Sequence, residues 1–245
     1  MGERIAALIT RMGADLDRLR AADDPRRFFH ATYLRTTVAV AEAIDRSLFA
    51  DPAWLERLDV EFADLYLRAL DADRAGGPVP APWRLAFAAT RGRRRLAPVH
   101  HVLLGMNAHI NYDLPQALLA VIDPAEFDDA ARLAARAADH GRVDEILVTR
   151  VDAEDTELTA VSKTTALDRL LRPANRAATR RFLTEARAKV WANTTILDRI
   201  RRSGPDRYAS ALSELEDLCA DRVRDLTAPG PVLLRLARRG FGVVL

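Results

Sequence analysis

Apolar residues recur along this chain at intervals of three and four, so the pattern predicts helices throughout and no convincing strand. Ile5, Leu8, Ile9, Met12 and Leu16 mark a first amphipathic helix, with residues 1–24 expected at the periphery. A second helix runs from about Phe28 to Leu48. Asp51 before Pro52 supplies an N-cap and a first-turn proline for a third, which ends near Arg74. After the break GGPVPAPW, Pro82 to about Thr90 forms a short helix, and Pro98 opens a central one. Asp123 and Pro124 repeat the start signal for a long helix reaching about Val161, with Gly141 as its expected kink. Further helices are expected from Pro173 to about Arg202 and from Tyr208 to Leu226, followed by an apolar tail that should dock. The stretch Gly76–Pro82 is too short to separate domains. The reading is a single all-α, bundle-like domain over residues 1–245, with about nine or ten helices.

Composition narrows the classes without choosing among them. The 245 residues are 49% hydrophobic and 29% charged, as in ordinary globular proteins. A net charge of +2 gives no field strong enough to favour nucleic acid or an anionic membrane. No apolar run approaches the ~20 residues of a membrane span. The N-terminal segment is amphipathic and carries acids, unlike a secretion signal, so a cytoplasmic protein is expected. Cys219 is the single cysteine, which excludes an internal disulfide or a cysteine-rich zinc site. No phosphate-binding glycine loop, dinucleotide fingerprint or nucleophile elbow is present. The basic stretch Arg91–Arg95 reads as a solvated loop, and Trp54, Trp83 and Trp191 read as packing.

The central segment changes the picture. HVLLGMNAHINYDLPQALLAVI, His101 to Ile122, has no charged residue before Asp113, so it should be surrounded by protein. Yet three of the five histidines lie between His100 and His109, together with Asn107 and Asn111. On a helical wheel Val99, Leu103, Met106 and Ile110 form an apolar stripe, while the polar residues occupy adjoining stripes. His101, His109 and Asp113 can share one side, and His100, Asn107 and Asn111 another. Asp113 also suits a second role, as N-cap of a new helix with Gln116 completing a capping box.

Two other helices repeat the pattern. His140 falls in the apolar stripe of the long helix with Leu133, Leu147, Val151 and Leu158; Asp144 lies about 40° away and Asp155 about 60°. His30 shares a stripe with Leu34, Thr37, Ala41, Ile44 and Leu48, flanked by Tyr33. Asn193 lies on an inner stripe with Leu183, Ala186, Val190 and Leu197. Buried polar groups need partners, and charged ones are buried only when paired. These residues are therefore expected to meet in an interhelical pocket.

HINYD and HGRVD each set a histidine and an aspartate four residues apart, one above the other on a helical face. Imidazole and carboxylate together suit zinc, iron or manganese, which makes His109, Asp113, His140 and Asp144 the candidate ligands of a divalent metal. His30 and His101 are the candidate proton carriers with Asp155 as carboxylate partner, and Tyr33, Asn107, Asn111 and Asn193 the candidate ligand-binding residues. The expectation is an enzyme acting on a small molecule, either a metal-dependent hydrolase or a metal-free acid–base isomerase or cyclase. The alternative is a binding or assembly protein whose polar residues form a structural network and whose tail mediates homodimerisation or holds an apolar ligand.

The phrases HATYLRTT, HVLLGMNAHINYDLP and PGPVLLRLARRGFGVVL resemble an actinobacterial family known only as a domain of unknown function. The resemblance runs from about Arg27 to Leu245 and implies a single domain, with no activity attached.

Overall fold

A computed structural model describes residues 2–92, 96–143, 166–228 and 240–245, with the backbone alone for 166–183. The helices are α1 (Glu3–Ala21), α2 (Arg27–Asp45), α3 (Pro52–Ala75), α4 (Ala81–Arg91), α5 (Pro98–Ala108), α6 (Leu114–Val121), α7 (130–143), α8 (Ala166–Arg201) and α9 (Pro205–Thr227). A π-helical turn, His109–Asp113, joins α5 to α6, and one turn of 3-10 helix, Pro124–Asp128, precedes α7. Among the described residues there is no strand, and the fold is all-α. Among them, too, no helix is long and apolar enough to cross a membrane.

The start signals act as their chemistry requires, with two exceptions. The Asp51 side chain accepts from the Trp54 N–H, capping α3 behind Pro52. Asp123 accepts from Ala125 N in the same manner but opens only the 3-10 turn. The helix proper begins one turn later, where Asp129 accepts from the Ala131 and Arg132 amides. Its expected extension to Val161 lies outside the described residues. The second exception is Pro173, which falls inside α8 because that helix begins at Ala166.

The segment from α5 to α6 is the hub of the bundle. α5 packs on α2, α4 and α9; α6 packs on α3 and α8; the π turn touches α3, α8 and α9. α1 packs on α2 and α3 through Ile5, Leu8, Met12, Leu16 and Leu19, so it belongs to the body of the fold. No residue between 101 and 119 is exposed. The apolar stripe is nevertheless the less covered side of α5: Val99 is 46% exposed and Leu103 and Met106 are half-buried, whereas His101, Asn107, His109, Asn111 and Asp113 are all buried. Polar groups can occupy the centre of a helical bundle only where specific partners wait for them.

The π turn follows from Pro115. Proline has no N–H to give to the carbonyl four residues back, and its ring crowds that carbonyl. The chain widens by one residue, and Leu114 N–H bonds His109 O.

Gly105 sets the approach of α5 to α2. A Cβ there would lie 2.3 Å from Cγ of Phe29. A mid-helix glycine is ordinarily worse than alanine by about 1 kcal/mol. Here the sign reverses: Gly105→Ala is expected to lower stability by roughly 1–3 kcal/mol, because the Phe29 ring must move within a close-packed core. Chemical denaturation measures this, and a variant at least as stable as the parent would show that α2 yields freely.

Candidate functional site

His109 sits at the centre of an aromatic cluster drawn from three helices. The rings of Phe29, Tyr33, Phe62, Tyr66 and Trp83 have centroids 3.5–6.0 Å from the imidazole. Phe62 lies flat on it at 3.5 Å with a 2° tilt, and Tyr33 meets it edge-on at 4.4 Å. This enclosure removes water, and burial pushes the His109 pKa well below its usual value, so the ring is neutral.

Its two nitrogens have different fates. Nδ1 is 2.8 Å from Asp113 Oδ2, and the same oxygen accepts from Trp83 Nε1–H at 2.8 Å. Nε2 is buried and has no hydrogen-bond partner. The indole can only donate, so Oδ2 is an acceptor towards it. With Asp113 ionised, Nδ1–H donates to that oxygen as well and Nε2 carries the free lone pair. Burial raises the Asp113 pKa, opposed by the Trp83 hydrogen bond. Asp113 has helical backbone angles and makes no cap hydrogen bond, so the capping-box role is not realised. Gln116 instead donates to the Tyr112 carbonyl.

His109 lines a cavity of about 90 Å³ between α2, α3, the π turn and α8. Its wall is mostly hydrocarbon and aromatic: Phe29, Val40, Leu55, Leu58, Phe62 and Ile110 among others. The half-buried Thr32, Thr36, Met106 and Val143 mark where it nears the surface. Tyr33, Asp59 and Arg187 bring further polar groups to it. Tyr33 presents a buried hydroxyl without a hydrogen-bond partner, and Asp59 a buried Oδ2 likewise. Arg187 also lines the space and donates from Nη2 to the His140 carbonyl. Beside Tyr33, the Thr37 hydroxyl is buried as well and opposes the rise of the Tyr33 pKa. Burial raises the Asp59 pKa to about 7 and that of Tyr33 well above its ordinary value, so both favour the protonated form.

Of the residues expected from sequence, His109, Asp113 and Tyr33 come together here. The rest go elsewhere. His30 uses both ring nitrogens structurally: Nε2 donates to the Met12 carbonyl at 2.8 Å, leaving Nδ1 to accept from the Tyr66 hydroxyl at 2.9 Å. His101 stacks on Phe28 and lines a separate space of about 20 Å³, with the Phe29 ring bordering both cavities. His140 is buried beside Trp191 and does not line the main cavity.

The three asparagines grip the C-terminal tail. Asn107 and Asn111 both donate from Nδ2 to the Phe241 carbonyl. Asn193 donates to the Val243 carbonyl and accepts from Leu245 N–H, pairing with the tail as a strand would. Asp144 and Asp155 lie outside the described residues. Among the described residues no three His, Cys, Asp or Glu side chains are grouped to hold one metal ion, and the His109–Asp113 pair is turned inward on itself.

Asp59, Arg187 and the hydrogen-bonding role of Trp83 were not anticipated. Asp59 shares the inner stripe of α3 with Leu55, Phe62 and Tyr66, and Arg187 that of α8 with Val190 and Thr194. A charged residue on an apolar stripe is the signal that marks both.

No curated protein and no solved structure matches the chain. A family model does, over residues 5–229, and its description is a family of unknown function (DUF5995). The chain, with its His109–Asp113 pair and the aromatic cavity inside the matched span, therefore belongs to the DUF5995 family.

Proposed function

We propose that this protein is a small-molecule enzyme that moves protons at His109, in a largely apolar interhelical cavity and without a metal. One observation carries the reading: a neutral imidazole that lines the cavity is held by Asp113 through one nitrogen and keeps the other buried and unpartnered. A buried polar atom without a partner costs about 1–3 kcal/mol; His101 Nδ1 and His140 Nε2 are unpartnered as well, but of the three only His109 lines this cavity. In acid–base catalysis the same arrangement is productive. Nε2 takes a proton from a bound molecule, and the imidazolium so formed rests against Asp113. Water is excluded by the surrounding rings, so the base acts undiluted by competing hydration.

Nitrobenzisoxazole, whose elimination reports a desolvated base, tests this directly. The protein is expected to accelerate the elimination, and His109→Gln to abolish the acceleration. Because the imidazole pKa is depressed, the rate should not fall between about pH 8 and pH 6. A rate lost on acidification with a midpoint near 7 would assign the base to the Asp59 carboxylate instead. No acceleration by the parent protein would leave the buried groups as a structural network, the binding-protein alternative.

A further inference from the structure

We infer that the substrate is a small apolar carbonyl compound, its oxygen received by the hydroxyl of Tyr33 and the carboxyl of Asp59 and its adjacent carbon deprotonated by His109. This rests on the proton-transfer reading above and names its substrate class.

The polar atoms of the cavity are unlike one another in what they offer. The Tyr33 hydroxyl is a donor, buried and unpartnered. Asp59 Oδ2 is likewise unpartnered, and a protonated carboxyl donates as well. Burial that raises the Asp59 pKa to about 7 keeps much of it in that form at neutrality. Arg187, a permanent cation, lines the same space. Nε2 of His109, unpartnered as well, offers a basic lone pair. An alcohol or amine would bring further donors to a wall already rich in them. A carbonyl oxygen has two lone pairs and can accept two O–H groups at once. Its acidic C–H then answers the Nε2 lone pair. The remaining wall of Phe29, Val40, Leu55, Leu58, Ile110 and Leu114 suits hydrocarbon. The space, about 90 Å³, nears the surface past the half-buried Thr32, Thr36, Met106 and Val143, so a ring ligand can place its reacting end inside while the rest extends outward.

The step balances without a co-reactant. The Nε2 lone pair takes the α-proton, the C–H electron pair becomes the C=C bond, and the C=O π pair moves to oxygen. The enolate oxygen is held by the two O–H groups, a use for which neutral carboxyl and phenol groups in apolar sites are well suited. The imidazolium, opposite Asp113, returns its proton to carbon, at the original position or at a conjugated one. Return to the original carbon gives hydrogen exchange, and return to the far carbon of a β,γ-unsaturated substrate gives isomerisation.

Cyclopentanone in near-neutral D2O tests the inference with the full chain. Proton NMR follows loss of the α-proton signal. The parent protein is expected to speed exchange over buffer and over His109→Gln. Tyr33→Phe and Asp59→Leu should each slow it by about tenfold or more, with melting temperatures showing both variants folded. Exchange unaffected by both substitutions overturns the donor pair. No protein-catalysed exchange, in a preparation that still eliminates nitrobenzisoxazole, overturns the carbonyl class while leaving the base at His109 standing. Loss of both reactions removes the underlying reading.

Discussion

Asp113→Asn is expected to slow nitrobenzisoxazole elimination by about a hundredfold and to leave the protein folded. Both hydrogen bonds of this carboxylate, from Trp83 Nε1–H and from His109 Nδ1–H, end on one oxygen, Oδ2. An amide oxygen in the same place accepts both, so the tautomer of His109 and the orientation of its ring survive. The negative charge against which the imidazolium forms is lost. A charge-assisted hydrogen bond is about twice as strong as a neutral one, and 1.4 kcal/mol in the barrier is a factor of about ten in rate. The sign of the stability effect is opposite. Burial raises the Asp113 pKa above its unfolded value. Stability from this group is therefore present at low pH and lost as pH rises through the folded pKa. The asparagine variant escapes that loss and should be at least as stable as the parent at pH 8. Steady-state kinetics with a parallel thermal melt measure both. An unchanged rate would show that Asp113 only orients the ring, and a destabilised variant would show that its charge is needed for folding.

The burial of the central segment could be read from sequence because it is a statement about absence: no lysine, arginine or glutamate occurs from His101 to Ile122. The four-residue interval between His109 and Asp113 could be read too, and they meet through the π turn at 2.8 Å. What helical periodicity leaves open is the partner across the interface. Asn107 and Asn111 satisfy a carbonyl 134 and 130 residues away, in the tail. A wheel places these amides inside the fold but cannot distinguish a bound ligand from a distant main chain. Trp83 behaves likewise. Its ring packs on Phe87 and Tyr66, as its size suggests, while the indole N–H reaches Asp113 thirty residues on. Asp59 was obscured by its neighbours: Glu56, Glu61 and Asp64 on the same helix are all partly exposed, and an acid-rich helix conceals the one acid that turns inward.

The tail and the site are joined through five residues of backbone. His109 faces the cavity, and Asn111, two positions on in the same π turn, is tied to the Phe241 carbonyl. An asparagine amide leaves its Oδ1 unpartnered at both 107 and 111, so the tail is held by donors alone at this point. Gly242 permits the approach, since a Cβ there would lie 3.0 Å from Ala186 Cα. The polar residues of the hub thus divide into two sets on opposite sides of one helix, one that anchors chain and one that is left open.

Asp59, on α3 and lining the same cavity, is a group whose removal should raise stability. Its folded pKa, about 7, stands above the reference value of 3.8 because burial penalises the charged form. Below about pH 4 the carboxyl is neutral in both states and carries no ionisation penalty. Between about pH 4 and pH 7 the folded protein holds a proton that the unfolded chain has released, so stability falls as pH rises, by about 1.4 kcal/mol per unit. Above that range the loss is complete and amounts to about 4 kcal/mol. Asp59→Leu, of similar shape and without the ionisable group, abolishes the slope. Urea unfolding at pH 3.5 and pH 8 should therefore show a gain in the variant that is larger at pH 8 by about 4 kcal/mol. Equal gains at both pH values would mean that the carboxylate is solvated or paired in the folded state. Asp59 would then no longer serve as a proton donor in the cavity. The penalty is large beside the usual 5–15 kcal/mol of a whole domain. So costly an acid, beside a buried tyrosine and histidine, is what the proposed proton-transfer site would require.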